Sequence, residues 1–215
     1  MTTKPAELTL SGLYYPNKMM RIFLEALADV MGQNGLNALL NQAKLSQYIT
    51  QLPPENLDRQ VDFAHISALI QGLETLYGER GARGLALRAG RALFGQGLKG
   101  FGALAGVGDL AFKVLPLPVK LKMGIPAVAS IFTNFSDQTS VTEEKDDHYL
   151  YTIKVCSQCW GRTGLAKPSC HVATGILQEA MRWVSGGREF RINQIRCKGC
   201  GDADCAYVIY KEPID

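Results

Sequence analysis

All six cysteines of this chain, Cys156, Cys159, Cys170, Cys197, Cys200 and Cys205, lie after residue 155. Thiolates bind soft metal ions, and Cys156/Cys159 and Cys197/Cys200 each form a C-x-x-C pair. Tetrahedral zinc takes four N or S ligands, and turns often supply them in such pairs. An iron–sulfur cluster would accept four of the same thiolates. A thioredoxin-like redox pair fits less well, because Pro168 and Ser169 delay the next helix after Cys159. Any single cysteine is readily a small buried hydrophobe, but six crowded into one end of a chain favour a metal site. His171 follows Cys170 directly. Adjacent residues on a helix point about 100° apart, which makes a second ligand there a poor fit. His65 reads as a helix-surface or core residue, and His148 as a solvated turn residue.

The elements that must position these thiols follow from hydrophobic periodicity. Met19, Met20, Phe23, Leu24, Leu27 and Val30 repeat with helical spacing up to Gly32, and Leu36 opens a second short helix. Phe63, Ile66, Leu69, Ile70, Leu73 and Leu76 share one face of a third, which continues from Ala82 despite Gly84, Gly90 and Gly95. Helices are expected over Asp109–Leu115 and Val119–Phe135. Beyond residue 140 the pattern changes. Val141–Lys145 and His148–Val155 read as a hairpin around Asp146-Asp147. A helix follows from Cys170, with Ser169 as its N-cap and Gly186-Gly187 as its stop. "EFRINQIRC" and "CAYVIYKE" alternate as two further strands. The expectation is an α+β fold: a helical part packed on an antiparallel β-sheet, with a C-terminal β-β-α-β-β unit carrying the cysteine site. Residues 1–140 form the mainly helical part and 141–215 the cysteine-rich part of the same domain. A strand end, a helix start and a hairpin turn can meet at one end of such a sheet.

With 215 residues, 47% of them hydrophobic, the chain can bury a real core. A net charge of +3 argues against a nucleic-acid partner. No signal peptide or membrane span is evident, so the chain reads as cytoplasmic. Basic residues gather between Arg88 and Lys122 and acids between Asp137 and Asp147, either as solvated faces or as docking surfaces. The glycine-rich "GERGARG" and "GALAGVGD" follow no strand and read as bends or packing, not phosphate loops.

Cys170, Gly175, Cys197, Gly201-Asp202 and Cys205, with "CSQCWGR" upstream, form a pattern that resembles the 4-vinyl reductase domain family. The resemblance extends through "YYPNKMMRIFLEALADVMGQNGLNALL" and covers most of the chain. It implies a ligand-binding module related to the haem-nitric-oxide-binding fold. It also implies a zinc held by Cys170, Cys197 and Cys205. The family's glutamate ligand corresponds to Gln194, a neutral amide, so Cys200 is the expected substitute, with Cys156 and Cys159 next. Four thiolates keep zinc first and an iron–sulfur cluster as the alternative.

Three functions follow as expectations. The first is a binding protein for a hydrophobic or aromatic small molecule, such as a tetrapyrrole or its precursor, with an accessory role in pigment or photosystem assembly. Phe132, Phe135, Tyr149, Tyr151, Trp160 and Trp183 are the candidate lining residues. The second is a vinyl reductase of chlorophyll synthesis, which needs an electron source; the chain carries no dinucleotide fingerprint, leaving only an iron–sulfur cluster. The third is an assembly subunit docked peripherally on a photosynthetic membrane complex through Arg88, Arg91, Lys120 and Lys122. A homodimer is a further arrangement left open.

Overall fold

The computed structural model describes residues 8–101 and 114–214, the side chains of 98–101 excepted. The chain begins with β1 (Tyr14–Pro16) and α1 (Asn17–Gln42), then a short α2 (Gln47–Thr50) and β2 (Arg59–Asp62). α3 (Phe63–Phe101) and α4 (Leu117–Phe135) follow. The C-terminal part runs β3 (Ser140–Glu144), β4 (His148–Ile153), α5 (His171–Ser185), β5 (Phe190–Arg196) and β6 (Cys205–Pro213). A 3₁₀ turn over Lys198–Cys200 joins the last two strands.

The architecture is α+β, with an antiparallel four-stranded sheet ordered β3-β4-β6-β5. The two expected N-terminal helices are present and meet at Gly32, whose φ of 76° and ψ of 161° are not helical; no loop separates them, so both are numbered α1. Likewise α3 is two helical segments that meet at Gly78 (φ 66°), within "GERGARG", between the expected helical face and its continuation from Ala82. Positive φ is cheap only for glycine, so each of these glycines ends one helical segment and starts the next in a new direction. The expected Asp109–Leu115 helix lies almost wholly outside the described residues. The small β1-β2 ladder had no counterpart in the expectations: Tyr14 pairs with Asp62 and Tyr15 with Val61. Its strands are too short for periodicity to register.

Asp62 caps α3: its Oδ1 accepts the Ala64 N–H at 2.8 Å. Gly186 (φ 82°) closes α5 in the left-handed conformation. Ser169 does not cap α5. Cys170 occupies that position, and the Ser169 hydroxyl instead accepts from Arg162 Nη1 at 3.2 Å.

α5 lies against α3, and the two touch backbone to backbone. A Cβ on Gly90 would fall 2.2 Å from the Val172 carbonyl oxygen, and one on Gly175 would fall 2.2 Å from that of Leu87. Arg91 pins the same pair of elements. Its guanidinium donates two hydrogen bonds, both 2.9 Å, to the Glu189 carboxylate beyond the end of α5. On the sheet, Ile153 pairs with Cys205 and Tyr151 with Tyr207, all four buried. This register brings the start of β6 alongside the end of β4, where the loop carrying Cys156 and Cys159 departs. No described helix is long and apolar enough to cross a membrane.

Candidate metal centre and adjoining cavity

Three segments converge at this end of the sheet. The first is the loop after β4, with Cys156 and Cys159. The second is the start of α5, with Cys170. The third is the β5–β6 turn, with Cys197 and Cys205. The Sγ atoms of Cys156, Cys159, Cys170 and Cys205 all lie within 4.8 Å of one another. Individual separations are 3.7 Å for Cys156–Cys170, 3.5 Å for Cys159–Cys205 and 3.9 Å for Cys170–Cys205. A tetrahedron of sulfurs about 2.3 Å from a central zinc has edges of about 3.8 Å. All four residues are 0–3% exposed.

Cys197 is also buried, with its sulfur 3.8 Å from that of Cys170. Cys200 is half-buried and stands outside the group of four. The crowding redistributes protons. Cys159 is held far below the usual thiol range by hydrogen bonds, first from Cys156 and then from Cys170, Cys197 and Cys205. Cys170 is driven up, because its thiol is the donor towards Cys156 and the others. At Cys197, Cys159 pushes upward, but Cys170 and Cys205 pull the pKa down to about 6. Thiolate is the form that binds metal.

The β5–β6 turn is built around its sulfurs. Cys197 N–H donates to Asp202 Oδ2 at 2.7 Å, and Lys198 N–H points at Cys205 Sγ at 3.4 Å. Gly201 takes φ 102° to close the turn, which a side chain would resist. Arg196 Nε donates to Asp204 Oδ1 at 2.7 Å, fastening the turn's two strands.

Gln194, the neutral amide at the position that the resemblance gives to a glutamate ligand, serves the backbone. Its Oε1 accepts the Cys170 N–H at 3.2 Å, and its Nε2 donates to the Arg196 carbonyl at 3.0 Å. It satisfies a free N–H at the helix start and orients Cys170.

His171 points away from the thiols. It lines an open cleft of about 310 Å³ together with Glu74, Glu79, Arg83, Arg162 and Lys167. Burial, with Arg83 nearby, lowers its pKa to about 4. Arg162 crosses from the cysteine loop to α3, pairing with Glu74.

Beside the cysteines lies a half-open apolar cavity of about 40 Å³ between α1, α3, α4 and α5. Tyr15, Met19, Met20, Phe23, Ile66, Leu93, Phe132, Ser157, Gln158, Val172 and Ile176 line it. Of the aromatic residues singled out from sequence, Phe132 belongs to this lining. Tyr149 and Tyr151 are buried in the sheet, while Phe135, Trp160 and Trp183 are half-buried. Most of the other lining residues are part of the helical hydrophobic repeats, which mark the core but do not reveal where the core is incomplete. The polar edge of the cavity is a chain of hydrogen bonds. Tyr15 OH donates to Gln138 Oε1 at 2.5 Å and lies 3.1 Å from Ser157 Oγ. Burial raises the Tyr15 pKa far above the ordinary phenol value, so it remains a donor. Its single proton goes to Gln138, and Ser157 must therefore donate to Tyr15.

No protein-family profile matches the chain, and no curated protein matches it. Solved structures do. An Fe(II) unliganded H-NOX protein from K. algicida shares 14% identity over 91% of this chain and 95% of its own, with a TM-score of 0.57. An H-NOX protein from S. oneidensis in the Fe(II)NO state shares 13% over 91% and 99%, also at 0.57. A third structure, from a study of heme distortion in the H-NOX family, reaches 0.60 at 11% identity over 93% and 97%. The chain has an H-NOX-like fold.

Proposed function

We propose that this protein is a small-molecule-binding module whose pocket wall is locked by a metal ion at the cysteines. The observation that carries the reading is the set of four buried thiols at tetrahedral spacing beside an apolar cavity. A metal at Cys156, Cys159, Cys170 and Cys205 would tie three distant segments together. Zinc is the ion proposed. An iron–sulfur cluster interposes its own iron and sulfide atoms among its ligands, and four thiols all within 4.8 Å of one another, three of the separations being 3.5–3.9 Å, favour a single ion. A single closed-shell ion supplies no electrons, and this favours binding over vinyl reduction.

The fold's solved relatives raise the question of haem. A haem needs a slot for its macrocycle and an axial ligand such as His, Cys, Met or Tyr. Here α3 and α5 meet at Gly90 and Gly175 with no room for a side chain, and the cavity is about 40 Å³. His65 Nδ1 lies 3.0 Å from Tyr48 OH, His148 is paired with Asp147, and His171 faces the open cleft. Among the described residues, neither the space between the helices nor the placement of the histidines fits a haem. A smaller apolar or single-ring aromatic molecule suits the lining better. An apolar cavity of about 150 Å³ admits benzene, and the unbranched side chains of Met19 and Met20 can re-pack to make that space.

The finer reading, a 4-vinyl reductase domain protein with an accessory role in pigment or photosystem biogenesis, rests on the sequence motif. Its residues have coherent duties: Gly175 permits the helix contact, Gly201 closes the turn, and Cys170 and Cys205 carry converging thiols. Docking through Arg88, Arg91, Lys120 and Lys122 is weakened as a reading by the commitment of Arg91 to Glu189.

The test is elemental analysis together with xenon titration. One zinc per chain and saturable shifts of the Met19 and Met20 methyl resonances under xenon are expected. Metal-free, natively folded protein, or methyls indifferent to xenon, overturns the reading.

A further inference from the structure

The loop from Cys156 to Cys159 belongs to both sites at once. Its ends carry two of the four converging thiols, and its middle residues, Ser157 and Gln158, line the cavity. Both middle side chains are buried and bonded to the cavity's other walls. Ser157 meets Tyr15 at 3.1 Å, and Gln158 Oε1 accepts the Ala173 N–H of α5 at 3.4 Å. α5 repeats the arrangement: Cys170 sits at its start, and Val172 and Ile176 line the cavity. Two of the three segments that hold the thiols are therefore also cavity wall.

We infer that the metal centre and the cavity are coupled: occupation of the cavity changes the geometry of the thiol site, and metal at the thiols sets the shape of the cavity. The inference rests on the binding function proposed above. Its physical basis is that close-packed interiors transmit displacement instead of absorbing it. With only two residues between Cys156 and Cys159, the cavity wall cannot move outward without turning a ligand sulfur. Binding free energies are reciprocal, so whatever the ligand does to the metal, the metal does to the ligand.

Cobalt(II) in place of zinc is the reporter, because its visible bands follow the geometry of the thiolate tetrahedron. Xenon is the cavity probe, since it enters apolar space whatever the native ligand is. The expected result is a shift of the cobalt bands that saturates with the same xenon dependence as the Met19 and Met20 methyl resonances. Methyl shifts without a cobalt response in the unmodified protein overturn the coupling and leave the binding reading standing. Absence of methyl shifts overturns the binding reading itself, and the coupling with it.

Discussion

Gly90 of α3 and Gly175 of α5 stand against each other's helix with no space for a methyl group. The nearest atoms are the carbonyl oxygens of Val172 and Leu87, 2.2 Å from where each Cβ would lie. Backbone atoms cannot swing aside as a side chain can. Gly175→Ala should gain about 1 kcal/mol of helix propensity and lose more through overpacking, for a net destabilisation of about 2 kcal/mol or more. Gly84→Ala, where nothing lies within 4 Å of the added Cβ, should be neutral or stabilising. Urea midpoints of the two variants check the contrast.

Serine substitution separates the ligands. Cys159→Ser, Cys170→Ser and Cys205→Ser should each lose zinc and destabilise the C-terminal part, since metal binding and folding are linked. Cys200→Ser should keep full zinc content. Between the two remaining thiols, Cys156 completes the group within 4.8 Å, so Cys156→Ser should lose zinc and Cys197→Ser retain it. The reverse pattern, read by elemental analysis, would hand the fourth position to Cys197.

Gln194→Ala removes the acceptor of the Cys170 N–H and frees the residue that starts α5. Groups that orient a metal ligand typically contribute 10–100-fold in affinity. A loss of about 10-fold is expected in chelator competition, with the fold intact by circular dichroism.

Tyr15→Phe leaves Gln138 Oε1 and Ser157 Oγ short of a partner in a buried site. An unsatisfied buried polar group costs about 1–3 kcal/mol, and the variant should be less stable by that amount in urea. An unchanged midpoint would mean that the chain re-pairs these groups.

Asp62 provides the acid signature. Burial alone would raise its pKa. The hydrogen bonds from Ala64 N–H, Ser11 N–H, the Ser11 hydroxyl and Gly12 N–H outweigh that and hold it below 3.8. A carboxyl depressed on folding contributes stability above its unfolded pKa and loses it as pH falls through the folded value. Asp62→Asn should therefore lower Tm at pH 7, with the gap to the unmodified protein narrowing below about pH 4. A gap that is constant from pH 7 to pH 3 would contradict the assignment.

Much of this was legible in the residues themselves. The 3.6-residue repeats marked α1, α3 and α5, alternation marked the strands, and Gly186 marked the end of α5. All of these are local signals. The break at Gly32 was legible too, since glycine is the residue that leaves a helix at positive φ, whereas Gly78 sits in a repeat that runs on past it. Ser169 was misread as a cap because an acceptor side chain next to a helix start is equally free to bond elsewhere, here to Arg162.

The division holds at the centre as well. Sequence alone determined that six thiols gather in one C-terminal part of an α+β chain and that their chemistry favours a soft metal. Tertiary structure decided which of them meet. The β4–β6 register puts Cys205 beside Ile153 at the root of the Cys156–Cys159 loop, and Gln194 aims the start of α5 at the same point. Sulfur-to-sulfur distances depend on strand pairing and helix docking between segments far apart in the chain, and a spacing of residues along a sequence carries no record of either.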